Sequence, residues 1–207
     1  MSVPWRLMRS KLTVIVAVVG ASLVLLQVAA AAPLPLPARL LQASELSGFH
    51  ADQGIARYGT AALWVQADPT LTPAQRTAEV ARLRREGFKG LAQRFYAHGS
   101  TQEAVSWVMQ LGSAAAARAE LATTFDTFKV RDVAMGAAFT PYTVAAIPGA
   151  RGFGLRGGGQ AGENVFFTDG PFLYLVGVGW PTSAAKPPTR AALIAAATKL
   201  HTRVRGR

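Results

Sequence analysis

The segment Asn164-Val-Phe-Phe-Thr-Asp-Gly-Pro-Phe-Leu-Tyr-Leu-Val-Gly-Val-Gly-Trp180 holds two apolar runs broken only around Asp169-Gly170. Runs of β-branched and aromatic residues on either side of an Asp-Gly turn signal are the strongest local mark of a β-hairpin. In the second run Phe172, Tyr174, Val176, Val178 and Trp180 share one face, and Leu173, Leu175, Gly177 and Gly179 share the other. Gly177 and Gly179 leave one face bare, so they are candidate ligand-facing sheet positions.

Helical and strand periods alternate outward from this hairpin. Towards the C-terminus, Pro187-Pro188 is followed by Thr189, a helix cap, and a stripe of Leu193, Ala197, Leu200 and Val204, with Lys199 and Arg203 one turn apart beside it. Towards the N-terminus, Tyr142, Val144 and Ala146 predict a strand ending near Pro148-Gly149. Ser113 caps a predicted helix with the stripe Ala117, Leu121, Phe125 and Phe128, leaving Arg118, Glu120 and Asp126 to solvent. Val105, Trp107, Met109 and Leu111 alternate with Ser106, Val108 and Gln110, the period of a strand with one face on a core. His98-Gly99-Ser100 reads as a polar turn.

Thr72-Pro73-Ala74-Gln75 is an N-cap, a first-turn proline and a capping-box glutamine. The helix it opens is expected to carry Val80, Leu83, Gly87, Leu91 and Phe95 on one face, and Leu63 and Val65 suggest a short strand before it. The expected fold class is therefore α+β: an antiparallel or mixed sheet of about five strands packed with three main helices. One domain over residues 40–207 is the natural division for a chain of 207 residues.

Residues 1–31 read as a signal peptide or membrane anchor. Arg6, Arg9 and Lys11 precede an uncharged run from Leu12 to Val28, and Ala29-Ala30-Ala31-Ala32 supplies small residues for cleavage, best placed after Ala31. The same apolar helix is long enough to span a bilayer uncleaved. Residues 32–39, with Pro33, Pro35 and Pro37, read as a Pro-rich tether. The mature chain is thus expected outside the cytoplasm, secreted or at the cell surface.

Charge and cysteine count narrow the chemistry. The chain has 22 Lys and Arg against 11 Asp and Glu, and no cysteine. Setting aside the three basic residues of the leader leaves 19 against 11, so the excess belongs to the mature protein. Export makes nucleic acid a poor match for that charge and favours an envelope component: an anionic lipid, a wall polymer or a protein. Arg82, Arg84, Arg85 and Lys89 are the densest cluster and the candidate anion contacts. Membrane contact is expected only through the N-terminal segment or through surface charge. Without cysteine there is no disulfide, thiolate metal site, thiol nucleophile or lipidated cysteine.

Gly152-Phe-Gly-Leu-Arg-Gly157 spells GxGxxG, but a dinucleotide loop must lead from a strand into a helix, and here a strand follows. Binding of NAD, FAD or ATP is therefore not expected, and no cofactor is assigned. The segment from Gly149 to Gly159 reads instead as a hairpin loop, with Arg151 and Arg156 flanking accessible amides as further candidate anion contacts. His50, His98 and His201 have no metal-ligand spacing, no GxSxG occurs, and the acids are scattered, so no catalytic or metal-binding residue is assigned.

Glu86-Gly-Phe-Lys-Gly90, Ile147-Pro-Gly-Ala-Arg-Gly-Phe153, Asn164-Val-Phe-Phe-Thr-Asp-Gly170 and Leu175-Val-Gly-Val-Gly-Trp-Pro181 resemble a group of exported proteins of high-GC bacteria that has no assigned activity. More distantly, the order of elements is similar to the α/β sandwiches of PsbP-like and Mog1-like lipoproteins. That topological likeness implies an accessory or binding module. The function expected from these readings is an exported, non-catalytic, envelope-associated binding module, with an exported hydrolase as the alternative.

Overall fold

The computed structural model describes residues 34–207, so the leader lies outside the described residues. Eight strands form a single sheet with helices on both faces, in an α+β architecture. In chain order the elements are β1 (His50–Ala51), β2 (Ala56–Tyr58), α1 (Ala61–Gln66), α2 (Pro73–Arg85), β3 (Gly90–His98), β4 (Gln102–Gln110), α3 (Ala114–Ala134), β5 (Ala138–Thr143), β6 (Arg151–Gly157), β7 (Gln160–Asp169), β8 (Phe172–Pro181) and α4 (Arg190–Val204). The sheet order is β1-β3-β4-β8-β7-β6-β5, with β2 also on β3. Every pairing is antiparallel.

The opening hairpin is the middle of this sheet. Asp169 pairs with Phe172 across a two-residue turn in which Gly170 takes φ 55°. Burial on both faces explains the absence of charge along β8. Phe172, Tyr174, Val176, Val178 and Trp180 meet Leu193, Ala197 and Leu200 of α4 in one core, while Leu173 and Leu175 meet Leu121 and Phe125 of α3 in the other. The predicted caps hold α3 and α4: Ser113 accepts from the Ala116 amide and Thr189 from the Ala192 amide, each at 3.1 Å. β4 is buried on both faces as well, with Ser106 accepting from the Leu41 amide on the α4 side.

Several expectations change. The sheet has eight strands, not five: the predicted strand at Leu63 and Val65 is helical, and four segments not expected as strands, β1, β2, β3 and β6, pair. Leu63 and Val65 belong to α1, where the Thr60 side chain caps the first turn and Ala61 and Val65, one turn apart, are buried. α2 starts at its capping box but stops at Arg85. Gly87 at φ 73° sits just past its end, and the Phe88 amide reaches back to the Leu83 carbonyl while the Gly87 amide reaches Arg84. This double bond is a Schellman stop, and it frees Leu91 and Phe95 for β3.

The glycine segment is a strand. Gly152 to Gly157 forms β6, paired with β5 on one side and β7 on the other, and only Gly158-Gly159, at φ 57° and 76°, makes the turn. Positive φ at both central residues is what a type I′ hairpin demands. The strand needs glycine because its neighbours come close: a Cβ on Gly152 would strike the Tyr142 ring, and one on Gly157 would lie 2.8 Å from the Ala137 Cα. The preceding strand, β5, ends at Thr143, so Val144 and Ala146 belong to the connection.

Candidate functional site

On the α3 face of the sheet, the end of α2 and the start of α3 meet over the ends of β3 and β4 at Gly87 and Gly112, where a Cβ on Gly87 would lie 2.9 Å from the Gly112 Cα. The gap between the helices is a cleft of about 830 Å³. Its floor is Trp107 and Met109 of β4 with Gln93 and Phe95 of β3, and its walls carry Trp64 of α1 and Thr123, Thr124, Thr127 and Phe128 of α3. Tyr58, Trp64 and Trp107 form a run of aromatic contacts, with centroids 5.3 and 6.4 Å apart. A concave site of this size whose open surface is mainly apolar suits a small organic ligand.

The polar part of the cleft is built on Arg82. Its guanidinium donates to Glu79 on its own helix (Nε to Oε2, 2.9 Å), to Glu86 (Nη1 to Oε1, 3.0 Å) and to both carboxylate oxygens of Glu120 on α3. Thr124 donates a further bond to Glu120 Oε1 at 3.0 Å. Glu120, expected in solvent, is only 2% exposed. It lies one position before Leu121 on the inner side of α3, where the partner that makes its burial tolerable comes from another helix. Burial pushes its carboxyl up to about 7 against the pull of Arg82, and the neighbouring Glu86 adds to the rise.

The predicted site residues separate. Arg82 is enclosed by three carboxylates and presents no free charge, whereas Arg84, Arg85 and Lys89 are exposed. Arg151 stacks over the Phe125 ring at 3.7 Å, and Arg156 is exposed on β6. Neither borders a loop of free amides, since the amides of β6 belong to a paired strand. Gly177 and Gly179 line a second cavity, of about 400 Å³, on the same sheet face. Of the cleft residues, the sequence reading places Trp107 on a strand face, Phe128 in the helix stripe and Glu120 in solvent, and assigns none of them, nor Trp64, to a site. The signal available was Glu120, a charge at i+3 from Ala117 beside the apolar stripe.

No protein-family model matches the chain, and no curated protein matches it. In fold the chain is similar to the extracellular domain of PknH from Mycobacterium tuberculosis, with a TM-score of 0.50 and 14% identity over 83% of this chain and 97% of that one. This likeness is one of fold, found in a high-GC bacterium. No match supports the resemblance to the exported-protein group or to PsbP-like and Mog1-like modules. Among the described residues, no helix is long and apolar enough to cross a membrane.

Proposed function

We propose that this protein is an exported, non-catalytic binding module of the cell envelope, and that the cleft between α1–α2 and α3 holds its ligand. The observation that carries the reading is the cleft itself: about 830 Å³, floored by Trp107 and Met109 and edged by threonines and one ion-pair network. The export part rests on the order of charge, apolar run and small residues in residues 1–31. It accords with the extracellular setting of the PknH domain whose fold is similar. Arg84, Arg85 and Lys89, exposed near the end of α2, are the contacts to an anionic lipid, wall polymer or acidic protein surface.

A second reading, an exported hydrolase, has one observation in its favour. A buried carboxyl with a pKa near 7 beside a cleft is the condition of a general acid, and Glu120 meets it. Against it, Arg82 and Thr124 occupy both of its oxygens.

One experiment separates the two. Ala78, exposed on α2 at the cleft, is replaced by Trp to fill the cleft without disturbing the core. Organic extraction of the protein purified from its native envelope should recover a small molecule by mass spectrometry, and Ala78→Trp should lose it. Turnover of a generic ester or glycoside that Glu120→Gln abolishes would favour the hydrolase instead. Recovery of the same molecule from wild type and Ala78→Trp would remove the cleft from the proposal.

A further inference from the structure

The second cavity has a chemistry the cleft lacks. The inward stripe of α3 runs Ala117, Leu121, Phe125 and Phe128, and one turn later reaches Asp132. Beneath that last turn the sheet presents Gly177 and Gly179 of β8, Gly162 of β7 and Gly157 of β6. Where the stripe meets side chains it makes a core, and where it meets glycines it leaves a cavity of about 400 Å³ with apolar walls from Phe95, Val105, Leu155 and Met135.

The side chain of Asp132, which lines this cavity, is 5% exposed. Its Oδ1 accepts from Arg131 Nε at 3.0 Å, while its Oδ2 is buried and, among the described residues, accepts no hydrogen bond. A buried carboxylate oxygen without a donor is costly, and native structures tolerate one mainly where something else supplies the donor. The charges agree. The cavity is lined by two acids, Asp132 and Glu103, and by no lysine or arginine, in a chain whose bases outnumber its acids two to one. Phe95 and Phe128 border the cavity with apolar rings, the Phe128 face being stacked under the Arg131 guanidinium at 4.6 Å.

We propose that this cavity is a binding site for an organic ammonium ion: a protonated amine that donates an N–H to Asp132 Oδ2 and lays an apolar body over the bare glycine floor towards Phe95 and Phe128. The site is distinct from the cleft and does not depend on the reading given to it. Phe95 and Phe128 border both cavities, so a long apolar body entering here points at the cleft.

Calorimetric titration of the purified full chain with octylammonium, octanol and octanoate, three probes of one chain length, tests the site. Octylammonium should bind saturably and at least about ten-fold more tightly than octanol, with octanoate weakest. Asp132→Asn keeps the shape and should reduce octylammonium to the affinity of octanol. Gly179→Val is the second variant. Its added Cβ would have only the Ala161 carbonyl oxygen, at 3.9 Å, as a neighbour, so it fills the cavity and should weaken all three probes with Asp132 untouched. Equal affinity for the three probes, no saturable binding of octylammonium, or unchanged octylammonium affinity in either variant would overturn the proposal. Loss of octylammonium in Ala78→Trp but not in Gly179→Val would place the amine in the cleft and overturn it equally.

Discussion

Glu120 shows how one position sets the behaviour of a site. A carboxyl held near 7 when folded and near 4.5 when unfolded binds more protons in the native state between those values. The sign follows directly: stability from this group is greatest below about pH 4.5 and declines as pH rises towards 7, by at most about 1.4 kcal/mol per pH unit. Urea denaturation of Glu120→Gln from pH 4 to 8 should show that decline flattened, because glutamine keeps the bond to Arg82 without the titration. A variant whose stability falls as steeply as wild type over this range would assign the slope to other groups. Arg82 is raised above the ordinary guanidinium value, its own burial opposing the bonds it donates to Glu79 and Glu120, which hold the charge. It therefore stays charged throughout, and within this contact it is Glu120 that titrates.

At the scale of elements, what the sequence disclosed depended on whether the cause was local. Caps at Thr72, Ser113 and Thr189 are local chemistry, and all three helices begin where those residues stand. The Gly87 stop is local too, but the apolar spacing of Leu83, Gly87, Leu91 and Phe95 imitates a continuing helix across it. β6 was illegible for a different reason. Its glycines answer to neighbours distant in sequence, Tyr142 from β5 and the Glu163–Arg190 pair, so a strand looked like a loop. The two glycines should accordingly respond differently to alanine. Gly152→Ala pushes a Cβ into the Tyr142 ring and should cost about 1–3 kcal/mol as overpacking. Gly154→Ala meets only the ends of the Glu163 and Arg190 side chains, at 3.1 and 3.2 Å, and should cost less than half as much. Thermal unfolding of both variants checks the order. A reversed ranking would mean that β6 is not packed against Tyr142 as described.

Over the whole molecule, the two cores are separated by the sheet, and the candidate site could not be read from sequence because every part of it crosses that architecture. Trp64, Trp107 and Glu120 converge from α1, β4 and α3, and no spacing within any one of those elements announces the cleft. The same holds for the contact that joins the start of the described chain to its far end. Arg39, the last residue of the segment read as a Pro-rich tether, is completely buried. Its Nε donates to the Leu34 carbonyl at 3.0 Å, Nη1 to the Tyr174 hydroxyl at 2.8 Å and Nη2 to the Arg207 carbonyl, with the guanidinium 3.7 Å over the Phe172 ring. Burial pushes the Tyr174 phenol up to about 12, opposed by Arg39, so it remains protonated and free to accept. Among the side-chain carboxylates of the described residues, Asp169 alone is in ion-pair range, at 4.0 Å. Geometry therefore holds the charge more than pairing does, and geometry is what lysine lacks: a single ammonium cannot reproduce the planar fork that reaches three acceptors and stacks on a ring. Arg39→Ala should cost about 2–4 kcal/mol by leaving the buried Tyr174 hydroxyl and the part-buried Leu34 and Arg207 oxygens without their donor. Arg39→Lys should recover less than half of that loss in urea denaturation. Full recovery by lysine would show that charge alone suffices here, and a loss below about 0.5 kcal/mol in Arg39→Ala would show that this contact does not hold the N-terminal segment to the sheet.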